Sequence, residues 1–189
     1  MMRHALSRSA LAACTLLSSA AVAAQDGESH AHAHSAIKAP AIQPPQSISA
    51  EHRALHDVLE RAANEAGELG HAAQELEKAL APHFKREEEI ATPPLGLLPK
   101  LARENPTADM RAVLPMTDAL ERELPQMLRE HEVIRLAVTR FRAAAAKAGR
   151  DEYVRFSDDL AAHARQEEEI LYPAAVLVGR YVRRTAPEK

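Results

Sequence analysis

Beyond residue 48, apolar residues recur every three or four positions in four long stretches, each the mark of a helix with one buried face. The first starts near Ser49, with Glu51 in its first turn, and carries Ile48, His52, Leu55, Leu59 and Ala62 before Ala66-Gly67 ends it. The second carries Leu76, Leu80, His83, Glu87 and Ile90, and Thr92-Pro93-Pro94 stops it. The third runs from about Thr117 to Ala148, with Leu120, Leu124, Met127, His131, Ile134, Val138 and Phe141 on its inner stripe. Pro125 is expected to bend it a turn before His131. The fourth starts near Asp151 and shows Phe156, Leu160, His163, Glu167, Ile170 and Ala174, with a kink expected at Pro173. Between the second and third lies a connection, 94–117, too long for an ordinary bundle turn. Leu95, Leu97, Leu98 and Leu101 suggest one short helix there, capping an end of the bundle. The pattern predicts an all-α chain folded as an up-down four-helix bundle.

Every one of these stripes has polar residues where apolar ones belong. His83-Phe84-Lys85-Arg86-Glu87-Glu88-Glu89-Ile90 returns as His163-Ala164-Arg165-Gln166-Glu167-Glu168-Glu169-Ile170, shifted by 80, and both read H-x-[KR]-x-E-E-E-I. Glu51-His52 and Glu130-His131 form a second matched pair. The chain thus consists of two similar halves, each with a lone His on one helix and an HxxxE on the next. Residues four apart share a helix face, so each HxxxE aims an imidazole and a carboxylate the same way. Burying such groups bare costs several kcal/mol (roughly 2–7 per polar group). An internal pseudo-two-fold repeat that brings four His and two Glu together is a metal site: His52, His83, Glu87, His131, His163 and Glu167. His56 and Glu168 are further candidates. His56 reads equally as a ligand or as the partner of one, and Glu88, Glu89, Glu168 and Glu169 taken singly read as surface residues or partners. His71 reads as surface.

Six ligands in two equivalent sets exceed what one zinc ion uses and suit a pair of ions, each with two His, bridged by two carboxylates. Nitrogen and oxygen donors without sulfur favour iron or manganese over copper or zinc.

Composition narrows the partners. With three Phe, three Tyr, no Trp and no basic stripe, the chain offers nucleic acid neither a stacking platform nor an electrostatic track. Its net charge of −3 fits a soluble protein.

Residues 1–24 read as a secretory signal: Arg3 and Arg8 in the charged region, then an apolar stretch ending Ala21-Val22-Ala23-Ala24. The expected location is periplasmic or secreted, with no transmembrane segment after cleavage. Leu11-Ala12-Ala13-Cys14 offers a lipid-anchored alternative through Cys14. Cys14 is the single cysteine, so the mature chain has no thiolate ligand and no disulfide. Residues 25–47 read as a flexible linker containing Pro40, Pro44, Pro45 and the alternating tract His30-Ala31-His32-Ala33-His34. The bundle is expected over 48–183 and a short tail over 184–189.

Glu51-His52, His83-Phe84 with Glu87-Glu88, Glu130-His131, and His163 with Glu167-Glu168 and Leu171-Tyr172-Pro173 make residues 48–182 resemble the hemerythrin-like (HHE cation-binding) family. The resemblance implies a four-helix bundle around a non-haem di-iron centre, with His52, His83, His131 and His163 as ligands and Glu87 and Glu167 as bridges. The oxygen-carrying hemerythrins have a second His where this chain has Met127, and their fourth-helix carboxylate would select Glu168. The doubled HxxxE is closer to the broader bacterial branch.

Two functions compete. One is a di-iron protein that binds or senses dioxygen or nitric oxide, or handles iron, without turnover. The other is an enzyme reducing peroxide or oxygen, with Tyr153 or Tyr172 as a redox neighbour. No general acid, substrate pocket or reductase module is legible, which favours the binding protein. Its protein partners are not assigned by the sequence.

Overall fold

The computed structural model describes residues 42–188. The expected signal segment, Cys14 and the His30–His34 tract lie outside the described residues, as does most of the expected linker. Among the described residues every regular element is helical. They are α1 (Gln46–Ala63), α2 (Gly67–Ile90), α3 (Thr92–Leu95), α4 (Leu98–Leu101), α5 (Leu114–Lys147), α6 (Asp151–Gln166) and α7 (Tyr172–Thr185). A 3₁₀ turn, Ala108–Val113, precedes α5, and a π turn, Glu167–Leu171, joins α6 to α7. No described helix is long and apolar enough to cross a membrane.

Local chemistry sets the boundaries. α1 begins directly after Pro45, whose extended backbone cannot continue a helix backwards. Asn64 closes it, its side chain donating to the Glu60 carbonyl at 2.9 Å. α5 ends at Gly149, whose φ of +66° only glycine adopts without strain. That turn lets the Arg150 N–H reach the Ala145 carbonyl at 3.0 Å. Asp151 and Glu152 then occupy the first turn of α6, where the helix dipole favours negative charge. α5 runs unbroken through Pro125.

α1 packs on α2 and α6, and α5 packs on the same two, so these four helices enclose a common interior. Leu80, Phe84, Ile134 and Leu160 belong to one apolar cluster of that interior; Ile90, Leu120, Met127 and Tyr172 belong to another. On α2, α5 and the α6–α7 run, the His and Glu residues of the motif lie between a member of each cluster. At about 25 cal/mol per Å² of apolar surface removed from water, the two clusters supply the drive to fold, and the polar layer rides between them.

Two expectations need correction. The connection after α2 holds two short helices and a 3₁₀ turn rather than one short helix. Pro93 and Pro94 open α3 rather than ending helical structure, because a proline in the first helical turn forfeits no bond. All four residues of α3 are buried, and Leu95 joins the cluster that contains Tyr172. Ile170, expected on the inner stripe, is 58% exposed. The π turn is the reason: the Tyr172 N–H donates to the Glu167 carbonyl five residues back, which inserts one extra residue. Pro173 follows at once; it has no N–H for the Glu169 carbonyl and crowds that carbonyl with its ring. The extra residue turns Ile170 outward and brings Tyr172 inward.

Candidate metal centre

His52, His83, Glu87, His131, His163 and Glu167 meet in the interior, and each residue is at most 3% exposed. Their ligand-capable atoms fall into two groups. His83, Glu87, His131 and Glu167 form one, His52, His163 and Glu167 the other, with atoms in each group lying within 4.8 Å of one another. His83 Nε2 and His131 Nε2 are 2.8 Å apart.

The two carboxylates face both groups. Glu87 Oε1 lies 3.7 Å from His83 Nε2, while its Oε2 lies 3.9 Å from His52 Nε2. Glu167 Oε2 lies 3.3 Å from His131 Nε2, while its Oε1 is 2.7 Å from His163 Nε2 and 3.6 Å from His52 Nε2. Each carboxylate therefore directs one oxygen to each pair of imidazoles.

The other ring nitrogens point outward, each to a glutamate. His83 Nδ1 is 2.9 Å from Glu130, His131 Nδ1 is 2.7 Å from Glu168, and His163 Nδ1 is 3.1 Å from Glu51. His52 Nδ1 stands 3.5 Å from Glu88. The pairing respects the repeat. Glu51 holds His163 as Glu130 holds His83, and Glu88 faces His52 as Glu168 holds His131. Carboxylates in this position fix the imidazole tautomer and raise its basicity toward a metal.

The residues fit a cation. His52 Nδ1 and Nε2, His163 Nε2, Glu87 Oε2 and Glu167 Oε1 are buried without a hydrogen-bond partner. Native proteins seldom leave one such atom orphaned, and here four of the five face one another. The charges agree. Burial, helped by the Glu167 charge, pushes the Glu87 carboxyl well above the usual carboxylate range. Burial acts on Glu167 in the same sense, but contacts from His131, His163 and His52 outweigh it and hold that carboxyl low. His131 and His163 are raised: burial opposes their charge, and the glutamates beside them overcome it. His83 is lowered, chiefly by burial.

The chain matches the model of the hemerythrin HHE cation-binding domain over residues 44–175. It belongs to that family. Neither a curated protein nor a solved structure matches it.

The family's cation-binding character and the buried His/Glu group agree. The two further candidates fall elsewhere. Glu168 stays on His131 Nδ1, bound also by Arg135 at 2.8 Å, and reaches no other motif residue as a ligand would. His56 is exposed and packs its ring on Phe84, 5.5 Å between centroids. Tyr153 hydrogen-bonds Glu65 at 3.2 Å among Phe141 and Phe156, so it does not line the group.

Sequence reasoning missed Tyr172 as a member of the site, reading it as packing. Its hydroxyl donates to Glu87 Oε1 and lies 3.3 Å from His131 Nε2 and 3.4 Å from His83 Nε2. Burial and the Glu87 and Glu167 charges push it far above the usual phenol range, so it stays protonated. No period signalled it, because the π turn shifts the register one residue before it. Glu51 and Glu130 were visible as neighbours of His52 and His131, yet each serves the His of another hairpin.

Proposed function

We propose that the chain holds two iron ions in an up-down four-helix bundle of two similar halves. One ion takes His83 and His131, the other His52 and His163, and Glu87 and Glu167 bridge them. The observation that carries this reading is that both carboxylates direct separate oxygens to the two imidazole pairs. Iron supplies a vacant coordination position and a change of oxidation state when bound. The protein supplies four imidazoles held by outer carboxylates, a dry interior and a fixed bridge geometry. That combination suits binding or sensing a small ligand, dioxygen or nitric oxide, or holding iron for delivery.

Met127 supports a sensor or iron-handling role over reversible oxygen carriage. It is buried in the apolar cluster with Leu120 and Tyr172, so α5 offers a single imidazole. Metal analysis, with optical spectra of the reduced and re-oxygenated protein, tests the reading. The expected result is about two irons per chain and oxygen taken up only transiently, ending in the ferric state. An oxygenated spectrum that persists for hours and reverses under vacuum would instead establish carriage.

A further inference from the structure

Around the cluster, the hydrogen-bond donors can be accounted for one by one, and one remains. Each imidazole has two ring nitrogens, and carboxylates only accept. The four Nε2 atoms face the interior, where a pair of ions would take them. The four Nδ1 atoms face Glu51, Glu88, Glu130 and Glu168. Glu87 and Glu167 bring no proton once they bridge ions. The remaining polar hydrogen among the described residues of the cluster belongs to Tyr172.

Tyr172 is also placed on one side. Its ring stacks on His131, 5.8 Å between centroids, and its hydroxyl sits within 3.4 Å of both Nε2 atoms of the His83–His131 pair. The equivalent residue of the other half, 80 positions earlier, is Thr92. The Thr92 hydroxyl turns away to the Glu87 carbonyl at 3.4 Å. The ring lying against His52 is Phe84, stacked at 4.7 Å, which has no polar hydrogen to offer.

We propose that Tyr172 is the hydrogen-bond donor for a small anionic or diatomic ligand, and that such a ligand therefore binds at the His83–His131 position rather than at His52–His163. This rests on the iron-pair reading above. A ligand of this class carries or gains negative charge at iron, and a donor held in a dry interior stabilises that charge more than one in water does. The O–H needs only to rotate about its C–O bond, from Glu87 Oε1 to the ligand.

Azide is the probe. Ferric, iron-loaded wild type, Tyr172→Phe and Thr92→Val are titrated with azide and followed by optical absorption, with iron content measured on each. The expected result is an unchanged iron content and an azide affinity about tenfold weaker in Tyr172→Phe, the loss of roughly one hydrogen bond. Thr92→Val should bind azide as wild type does. Equal affinity in Tyr172→Phe with iron retained overturns the proposal. So does a tyrosinate-to-iron charge-transfer band in the azide-free wild type, because Tyr172 would then be a ligand and not a donor. The wild type alone gives a second reading, independent of whether Tyr172→Phe folds. The stretching frequency of bound azide should shift when the protein is exchanged into D₂O, and no shift overturns the proposal. A wild-type chain that takes up no iron pair overturns the reading beneath it, and the iron analysis shows this before azide is added.

Discussion

The two halves of the repeat share a motif and end differently. In α2, Leu80, His83, Glu87 and Ile90 follow one straight helical face, and Ile90 is 4% exposed. From α6 onward, Leu160, His163 and Glu167 follow the same spacing, and then the π turn breaks it, leaving Ile170 58% exposed. One inserted residue exchanges an aliphatic side chain for the Tyr172 hydroxyl beside Glu87. The halves are alike where six ligands are needed and unlike at the single place where a different group gains entry. Duplicated binding sites can diverge by a change of helical register without touching a ligand.

The largest test of the likeness removes a ligand from each half. His83→Ala and His163→Ala should lower iron content to similar degrees, each by more than the 10–100-fold in affinity typical of an outer partner. Unequal loss would mean the halves differ already at the ligands. Iron retained in full by the double variant would place the metal elsewhere, with His30–His34 the first segment to examine.

Stripping the metal should lower the melting temperature on the order of 10 °C, since orphaned buried atoms cost roughly 1–3 kcal/mol each. Far-UV circular dichroism should change little, because the two apolar clusters remain. A melting point indifferent to metal would show that the six groups satisfy each other.

The pH dependence of the stripped and loaded forms should have opposite signs. Glu87, His131 and His163 are raised in the folded chain and His83 is lowered, so the stripped fold binds more protons than its unfolded chain. Stability contributed by raised groups is lost as pH rises through their folded values, here upward from the ordinary histidine value of 6.5. Glu167, which is lowered, acts only below the ordinary carboxyl value of 4.5. The loaded form should gain over the same range above 6.5, because ligands shed protons to bind metal. Melting curves of both forms across neutral pH check this, and parallel trends would sink it.

Glu130→Gln should weaken metal binding more than Glu51→Gln, although the two are repeat equivalents. Glu130 is the less exposed, at 36% against 44% for its side chain, and is itself held by Gln126 at 2.9 Å. Metal titration of the two variants reads the difference. The smallest effect belongs to deletion of Ile170. It should turn the π turn into regular α-helix, keep Tyr172 against Glu87, and change iron content little.

The ligands were legible because each interrupts an apolar stripe, and periodicity reports which face a residue occupies. The helices were legible for the same reason, with Gly149 and Pro93-Pro94 marking ends. Periodicity says nothing about which neighbour a face meets, so the crossing of Glu51 to His163 and Glu130 to His83 could not be read. It also assumes a constant turn, and Ile170 satisfied the pattern that Pro173 and the π turn then broke. Glu168 and His56 were ambiguous because both lie beside a stripe, where a ligand and the partner of a ligand leave the same trace.

The outer glutamates have a consequence for traffic. Each of the four imidazoles spans the wall of the helical shell, with one nitrogen in the dry interior and the other against a carboxylate that water reaches. A proton displaced inside thus has a two-residue route to bulk solvent at four separate places. Charge can leave the interior as an ion enters, and the helices need not part to let it out.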